Sequence, residues 1–352
     1  MSSVLIKNPI LVATMDDSRR EFRGGHILCR DGVIESVGPE PLEVAADEVI
    51  DAGGMVALPG LVNTHHHLYQ TLTRNVPLMQ NRSLFDWLTA HYEIWRELTA
   101  EAVRVSATTG LLELMKSGVT TSADHLYLFP AACDGELIDE EIAAAGTLGI
   151  RFHPTRGSMS LGQSRGGLPP DDTVQSETAI RADTERLLKR YHDDSAGAMV
   201  RLAPAPCSPF SVTRDLMRQT AEFAQANGLM MHTHLAETLE EERFCLREFG
   251  QRPVDYIAGL DWLAPNAWYA HAVHLNTDEI SRLGAVGAGV SHCPSSNLRL
   301  GSGIAPVKEL LEAGAAVSLG VDGSASNDAG NMLLEVRNAM LLSRLREERY
   351  WL

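Results

Sequence analysis

The sequence predicts an α/β protein whose larger part is a (β/α)8 barrel of the TIM type. Three observations favour this fold class. From residue 58 onward, short apolar runs alternate with stretches of helical periodicity, as parallel strands and crossover helices do. Polar residues, histidines above all, follow the ends of most runs, and the C-terminal strand ends of a barrel form its active site. Histidines occupy residues 65–67 after the first run, where a doubly wound sheet would normally carry a glycine-rich phosphate loop.

The first part of the chain predicts a small β-sandwich module. Its apolar runs are short enough for strands and lie at residues 4–6, 10–14, 27–29 and 33–37. Asp31 and Gly32 lie between the last two runs, and this pair is a strong hairpin signal because both turn positions need positive φ. We therefore expect two domains, with the sandwich strands in residues 1–57 and the barrel in residues 58–352.

Eight apolar runs predict the strands of the barrel. They cover residues 60–65, 119–124, 150–155, 199–203, 229–233, 268–271, 288–291 and 317–321. The helical patterns between them, with apolar residues three and four positions apart, include residues 100–116, 176–192, 213–226 and 328–346. Eight parallel strands with crossover helices close into a barrel, which is why we prefer this fold to an open sheet.

Charge and composition exclude several classes of protein. Lys and Arg number 30 against 46 Asp and Glu, and the resulting net charge of −16 disfavours binding to nucleic acid or anionic lipid. No stretch of about 18 apolar residues is present to span a membrane, and the N-terminal residues lack the pattern of a signal peptide. The five cysteines are scattered and odd in number, which argues against a disulfide framework. We expect a cytoplasmic protein whose partner is a small molecule.

A set of polar residues at the predicted strand ends indicates a metal site. His65 and His67 are two residues apart in an extended segment, so both imidazoles face one side while His66 faces the other. His234 follows the fifth predicted strand and Asp322 follows the eighth. Three imidazoles and one carboxylate form a ligand set that Zn²⁺ or Fe²⁺ accepts. We predict one divalent metal ion per chain, with zinc preferred and iron as the alternative.

Three residues are predicted to take part in catalysis beside this metal. Glu237 comes three residues after His234 and can carry protons over the same rim, although complementing a helix N-terminus is its alternative role. His271 is expected to hydrogen-bond the attacking hydroxide or the developing oxyanion. Asp322 is expected to bind the metal and also to take a proton from the metal's water.

The sequence resembles the amidohydrolase superfamily, in its cytosine and guanine deaminase-like branch. The resemblance rests on PGLVNTHHH (59–67), HLAET (234–238), AHAVHL (270–275), HCPSSN (292–297) and GVDG (320–323). It extends over nearly the whole chain. Further segments are similar to bacterial deaminases of 8-oxoguanine, at residues 69–74, 123–125, 155–162, 167–170 and 205–211.

The resemblance implies the ligands and catalytic residues given above and also implies a reaction. Hydroxide on the metal would attack C2 of 8-oxoguanine, and Glu237 would protonate the neighbouring ring nitrogen. The 2-amino group would then leave as ammonia, with its proton from Glu237, and urate would remain. Barrels of this family commonly pair, so a homodimer is the assembly to test.

Four residues are candidates for substrate binding. By resemblance, Gln70 offers a donor and acceptors to the purine edge, the alternative being a solvated loop glutamine. Arg156 would pair with a ring carbonyl or would instead order a loop. Trp87 would cover the purine face, although an aromatic at helical spacing is more often part of a core. Cys207 lies in the loop after the fourth predicted strand, where similar guanine deaminases carry an arginine, and this departure argues against guanine.

Two alternative functions stay open at this point. A related enzyme would use the same metal on isoxanthopterin, guanine or an s-triazine, because only the pocket separates these flat rings. A metal-bearing but inactive fragment is the other alternative, since relatives usually continue well beyond the eighth strand to complete the sandwich. A sandwich without those strands would expose apolar edges, and we expect such a chain to aggregate more than an extended one.

Overall fold

The computed structural model describes residues 2–133 and 135–348. Residue contacts divide the chain into two compact units, Met1–Leu61 and Val62–Leu352.

The first unit contains two small β sheets. Its strands are β1 (Ser3–Lys7), β2 (Leu11–Ala13), β3 (Glu21–Phe22), β4 (His26–Arg30), β5 (Val33–Gly38), β6 (Glu48–Asp51) and β7 (Val56–Ala57). The larger sheet has the order β5-β4-β1-β6, and the smaller one has the order β3-β2-β7. Asp31 and Gly32 join the antiparallel strands β4 and β5 with φ values of 48° and 81°, which confirms the predicted hairpin.

The second unit contains the eight barrel strands, apart from Leu61, the first residue of β8. They are β8 (Leu61–Asn63), β9 (Val119–Leu126), β10 (Arg151–Ser158), β11 (Ala203–Pro206), β12 (Met231–Leu235), β13 (Ala267–His271), β14 (Gly289–His292) and β15 (Ala316–Leu319). Strands β8 to β11 and β12 to β15 are each hydrogen-bonded in chain order. At the two seams, the His234 N–H donates to Cys207 O and the Thr64 N–H donates to Leu319 O, both at 3.1 Å. These bonds close the barrel and confirm the predicted fold class.

The fourth barrel strand departs most from its predicted position. The apolar run predicts residues 199–203, but β11 begins at Ala203, and Val200 forms only an isolated bridge to Phe152. The observed strand contains Pro204 and Pro206, which lack the backbone N–H that a ladder uses, so its sequence argues against a strand. The two prolines are two residues apart, so both missing N–H groups lie on the same edge of the strand.

Helices connect the barrel strands. Within the described residues they are α1 (Leu84–Trp95), α2 (Ala100–Lys116), α3 (Leu137–Leu148), α4 (Glu177–Tyr191), α5 (Arg214–Ala226), α6 (Leu239–Phe249), α7 (Pro253–Ala258), α8 (Thr277–Ala285), α9 (Pro294–Arg299), α10 (Val307–Ala313), α11 (Ser324–Asn327) and α12 (Met332–Arg346). Helix α2 matches its predicted range. Helix α12 begins later than predicted because Asp328 ends α11 with a φ of 76°, and the Asn331 side chain then caps α12.

The hydrophobic core of the barrel half around β12 to β14 lies between strands and helices. Leu216 and Met217 of α5, Leu283 of α8 and Leu310 of α10 are buried in one cluster with Val290 of β14. No helix in residues 2–133 or 135–348 combines the length and the apolar character needed to cross a bilayer.

Candidate active site

Four side chains from three strand ends converge at the mouth of the barrel. His65 and His67 follow β8, His234 lies in β12, and Asp322 follows β15. His67 Nε2 is 3.1 Å from His234 Nε2 and 3.3 Å from Asp322 Oδ1, and His65 Nε2 is 3.4 Å from that same oxygen. A tetrahedral ion whose ligands lie about 2.1 Å away holds those ligands about 3.4 Å apart. The four atoms are therefore spaced for one metal ion.

The protonation pattern of the histidines also fits a metal. Nδ1 of His67 lies 2.7 Å from His125 O, and Nδ1 of His234 lies 2.7 Å from Cys207 O. A carbonyl only accepts, so both Nδ1 atoms carry the proton. Burial lowers the pKa of His67 to about 3 and the pKa of His234 well below its usual value, so both rings are neutral. Two Nε2 lone pairs then face each other, and His65 Nε2 has no hydrogen-bond partner among the described residues. A cation between them would satisfy all three nitrogens.

Asp322 remains a carboxylate in this cluster. Burial raises its pKa, but the interaction with the nearby His65 ring outweighs burial and holds the pKa of Asp322 well below its usual value. The Gly323 N–H donates to Asp322 Oδ1 at 2.7 Å. The backbone of Asp322 is left-handed, with a φ of 63°, three residues after the end of β15.

Glu237 and His271 lie beside the ligand atoms. Glu237 Oε2 is 3.6 Å from His271 Nε2, and Asp322 Oδ2 is 3.8 Å from that nitrogen. Burial raises the pKa of Glu237. Burial lowers the pKa of His271, but the charges of Glu237 and Asp322 outweigh it and raise that pKa. His271 Nδ1 donates to Asn297 Oδ1 at 2.9 Å, which fixes the ring. The pair can therefore hold and exchange protons next to the candidate metal ligands.

Glu241 holds the turn that carries Glu237, and sequence reasoning missed it. Its two carboxylate oxygens accept the N–H groups of Ala236 and Glu237, each at 2.8 Å. Ala236 has a φ of 51°, which is unusual for alanine and depends on such support. Thr238 and Glu241 have the spacing of a capping box, so the sequence signal indicates only the start of α6.

A buried pocket adjoins these groups and contains three of the four predicted substrate-binding residues. Gln70, Trp87 and Cys207 line it, together with Tyr127 and Phe210, which the sequence did not single out. Other lining residues are Leu84, Leu88, Leu300 and Ser326. Burial raises the pKa of Cys207 to about 12, so its thiol stays neutral.

Gln70 depends on a neighbouring glycine for its position. A Cβ atom at Gly323 would lie 1.8 Å from Gln70 Oε1, so only glycine leaves room for the carboxamide there. The φ of Gly323 is −68°, which any residue adopts, and the reason for glycine is therefore space. Gln70 Oε1 is buried without a hydrogen-bond partner in the part of the chain that the structure describes. This oxygen is free to accept from a ligand.

The structure does not bring Arg156 to this pocket. Strand β10 extends three residues beyond its predicted end, so Arg156 lies within the strand, and its side chain pairs with a residue of α4. Its Nε donates to Asp183 at 2.5 Å, its Nη2 donates to Gln175 at 2.7 Å, and its guanidinium covers the ring of Phe129 at 3.8 Å. Arg156 lines a different cavity, between α4 and α5.

Comparisons with known proteins identify the family of this chain. The model of the amidohydrolase family matches residues 56–350. The 8-oxoguanine deaminase of Pseudomonas aeruginosa is 50% identical over 348 residues, which cover 98% of this chain and 77% of that protein. An isoxanthopterin deaminase from an unknown prokaryotic organism is 40% identical, covering 98% of this chain and 73% of its own length. The structure of an atrazine chlorohydrolase from Arthrobacter aurescens TC1 complexed with zinc is 35% identical and superimposes with a TM-score of 0.93, over 98% of this chain and 77% of that one. The chain therefore belongs to the amidohydrolase family and is a hydrolase of C–N bonds built on a TIM barrel.

Proposed function

We propose that the protein deaminates 8-oxoguanine, converting it with water to urate and ammonia. The observation that carries the proposal is the convergence of three imidazoles and one carboxylate beside Glu237 and His271, at a buried pocket. The 50% identity to an 8-oxoguanine deaminase supports this purine as the substrate.

His65, His67, His234 and Asp322 are proposed to hold one divalent ion through three Nε2 atoms and Oδ1. When bound, such an ion lowers the pKa of water and supplies a strong nucleophile at neutral pH. Zinc is the preferred ion, and the relative from Arthrobacter aurescens that was solved with zinc supports this choice. Iron is the alternative, because imidazole and carboxylate ligands suit both. Metal analysis of the protein purified without added metal distinguishes the two.

Glu237 is proposed to carry the protons of the reaction. Burial raises the pKa of Glu237, so its carboxyl holds a proton at a higher pH than a solvent-exposed glutamate does. Glu237 would give this proton to the ring nitrogen next to C2 while water adds to that carbon. The oxygen that adds to C2 would lose both of its protons to Glu237. One proton passes on to the 2-amino group, which leaves as ammonia, and the other restores the Glu237 carboxyl, so that the remaining ring is urate.

His271 is proposed to stabilise negative charge on the oxygen that adds to C2. Its Nδ1 donates to Asn297, so a proton on Nε2 as well makes the ring a cation. The raised pKa of His271 favours this charged form. A donor that is already oriented at the reacting oxygen lowers the barrier without reorganisation.

The pocket supports a flat, neutral heterocycle. Trp87 and Phe210 supply aromatic walls, and the free oxygen of Gln70 can accept from an N–H on the purine edge. Histidines aside, none of the described lining residues carries a positive side chain, which agrees with a substrate without negative charge.

The proposal is tested with zinc-loaded protein and three substrates, 8-oxoguanine, guanine and isoxanthopterin. We expect ammonia release and the absorbance of urate from 8-oxoguanine, with a much larger kcat/KM than for the other two. Ammonia from isoxanthopterin alone would support the proposed hydrolytic site but show that 8-oxoguanine is not the substrate. Isoxanthopterin is the second candidate substrate, which the 40% identity to an isoxanthopterin deaminase supports. No ammonia from any of the three, with zinc bound, would overturn the proposed deaminase.

A further inference from the structure

Of the three histidines proposed as metal ligands, His65 differs from the other two in the hydrogen-bond partner of its Nδ1. Nδ1 of His67 and Nδ1 of His234 each meet a backbone carbonyl. Nδ1 of His65 instead meets another side chain, His232 Nε2, at 2.9 Å. The other nitrogen of His232 meets a backbone carbonyl, because its Nδ1 lies 2.8 Å from Trp268 O.

The direction of these hydrogen bonds follows from their last acceptor. Trp268 O can only accept, so Nδ1 of His232 carries a proton. If Nε2 of His232 also carried one, His65 would have to accept at Nδ1 and keep its own proton on Nε2, the atom that faces Asp322. With Nε2 of His232 free, the proton of His65 sits on Nδ1 and the lone pair of its Nε2 points at the other ligands.

Packing holds this arrangement from two sides. The ring of His232 stacks on Trp268, with centroids 4.4 Å apart and planes 21° from parallel. The indole N–H of the same Trp268 donates to Thr64 O at 3.1 Å, one residue before His65. One tryptophan therefore supports both the partner of the His65 ring and the backbone that carries His65, and both histidines are buried.

We infer that His232 is a positioning residue for the metal centre, which accepts the Nδ1 proton of His65 and thereby keeps His65 Nε2 as the metal-binding atom. The inference deepens the proposed function, since it rests on the proposed ligand set. His232 does not touch the proposed reacting atoms, so its effect on them passes through His65.

The test measures metal binding, independently of any substrate. His232→Phe keeps a flat ring against Trp268 but removes the acceptor for His65. We expect the dissociation constant for Zn²⁺, measured by chelator competition, to rise about 10- to 100-fold. The visible absorption spectrum of the Co²⁺-loaded variant should also differ from that of the Co²⁺-loaded parent, because the coordination of His65 changes.

Two further variants separate positioning from packing. His232→Gln keeps an acceptor for His65 and a donor for Trp268 O, so it should restore most of the affinity and the Co²⁺ spectrum. His153→Phe is the matched control, because His153 contacts the same indole at 5.3 Å but has no hydrogen bond to a proposed ligand. It should bind Zn²⁺ like the parent. Equal Zn²⁺ affinity and equal Co²⁺ spectra for His232→Phe and the parent would overturn the inference.

A measurement on the parent protein keeps the inference testable if His232→Phe does not fold. Long-range ¹H–¹⁵N spectra of zinc-loaded, histidine-labelled protein should report His232 as the neutral tautomer protonated at Nδ1. A proton on Nε2 of His232 would overturn it. Failure of the parent to bind Zn²⁺ at all would instead refute the proposed metal centre, so the two failures are distinguishable.

Discussion

The barrel mouth and the ion-pair network between α3 and α4 are both rich in polar side chains, but their polar atoms are partnered differently. In the network, Arg186 Nη2 binds Asp139 at 2.7 Å and Asp183 at 2.8 Å, and Arg156 binds Asp183 as well. In the mouth, His65 Nε2 and Gln70 Oε1 are buried, and no other described residue forms a hydrogen bond with either atom. Burying a polar atom without a partner costs about 1–3 kcal/mol, so such atoms indicate a place where a ligand completes the structure.

Unpaired polar atoms in this molecule are expected to serve function, and paired ones are expected to serve stability. Where polar atoms are unpaired and convergent, a substitution should change metal binding or turnover and leave folding nearly intact. Where they are paired, a substitution should change folding and leave turnover intact. Four substitutions test this division, in order of decreasing effect.

Glu237→Gln should have the largest effect. The amide cannot carry a proton between the substrate atoms, so we expect kcat to fall by about 10²–10⁴ while zinc content and the melting temperature stay unchanged. Steady-state kinetics with metal analysis on the same preparation check this. Glu222→Gln, the same change at an exposed position of α5, is the control. Activity of Glu237→Gln within a few-fold of the parent would remove Glu237 from the proposed catalytic set.

Arg156→Met should have the next largest effect, on folding. Methionine keeps apolar contact with Phe129 but removes the donors to Asp183 and Gln175, and we expect a loss of about 1–3 kcal/mol in the free energy of unfolding. Urea denaturation measures this loss. The KM for 8-oxoguanine should not change. A clear rise in KM with unchanged stability would show that Arg156 binds substrate after all, against its position in the structure.

The position of Arg156 could not be predicted from the sequence. The apolar run predicts a strand that stops before Arg156, which would put its side chain on the rim, but the strand continues to Ser158. Successive side chains of a strand point to opposite faces of the sheet. The end of the apolar run therefore does not decide which way Arg156 points. By contrast, the strand period did predict the shared direction of His65 and His67, because both lie in one short segment.

Other parts of the site depend on contacts that are distant in sequence. The apolar runs predicted the positions of seven barrel strands, since burial on both faces leaves a strong hydrophobic signal, but they placed the fourth strand too early in the chain. The link from His271 to Asn297 and the link from His65 to His232 join different strands and loops, and no local pattern encodes them. The left-handed turn at Ala236 is likewise imposed by Glu241 rather than by the preference of alanine.

Gly323→Ala should have a smaller effect that concerns the pocket alone. The new methyl group occupies the place of Gln70 Oε1, and we expect kcat/KM for 8-oxoguanine to fall about 3- to 10-fold, the value of one misplaced neutral hydrogen bond. Zinc binding should be retained. Adding Gln70→Ala gives a double-mutant cycle, in which Gly323→Ala should cost little once the carboxamide is gone. If the losses in kcat/KM from the two substitutions were fully additive, glycine at position 323 would be needed for a reason other than space for Gln70.

Asp139→Asn should have the smallest effect, and one that depends on pH. Burial raises the pKa of Asp139, but its hydrogen bonds with Arg186 and Tyr191 outweigh burial and lower that pKa, so the folded state favours the carboxylate. The stabilisation from this carboxylate is therefore complete above its unfolded pKa, near 4, and is lost as the pH falls through the lower folded value. We expect the parent to exceed the variant by about 1 kcal/mol in the free energy of unfolding at neutral pH, and the difference to shrink below about pH 4.

Urea denaturation of both proteins from neutral pH to about pH 3 measures this difference. Asp194→Asn, an exposed aspartate beyond the end of α4, controls for the change in net charge. A difference that stays constant across this range would mean that Asp139 stabilises the helices through neutral hydrogen bonds. Ion pairing would then no longer be the property that distinguishes this network from the barrel mouth.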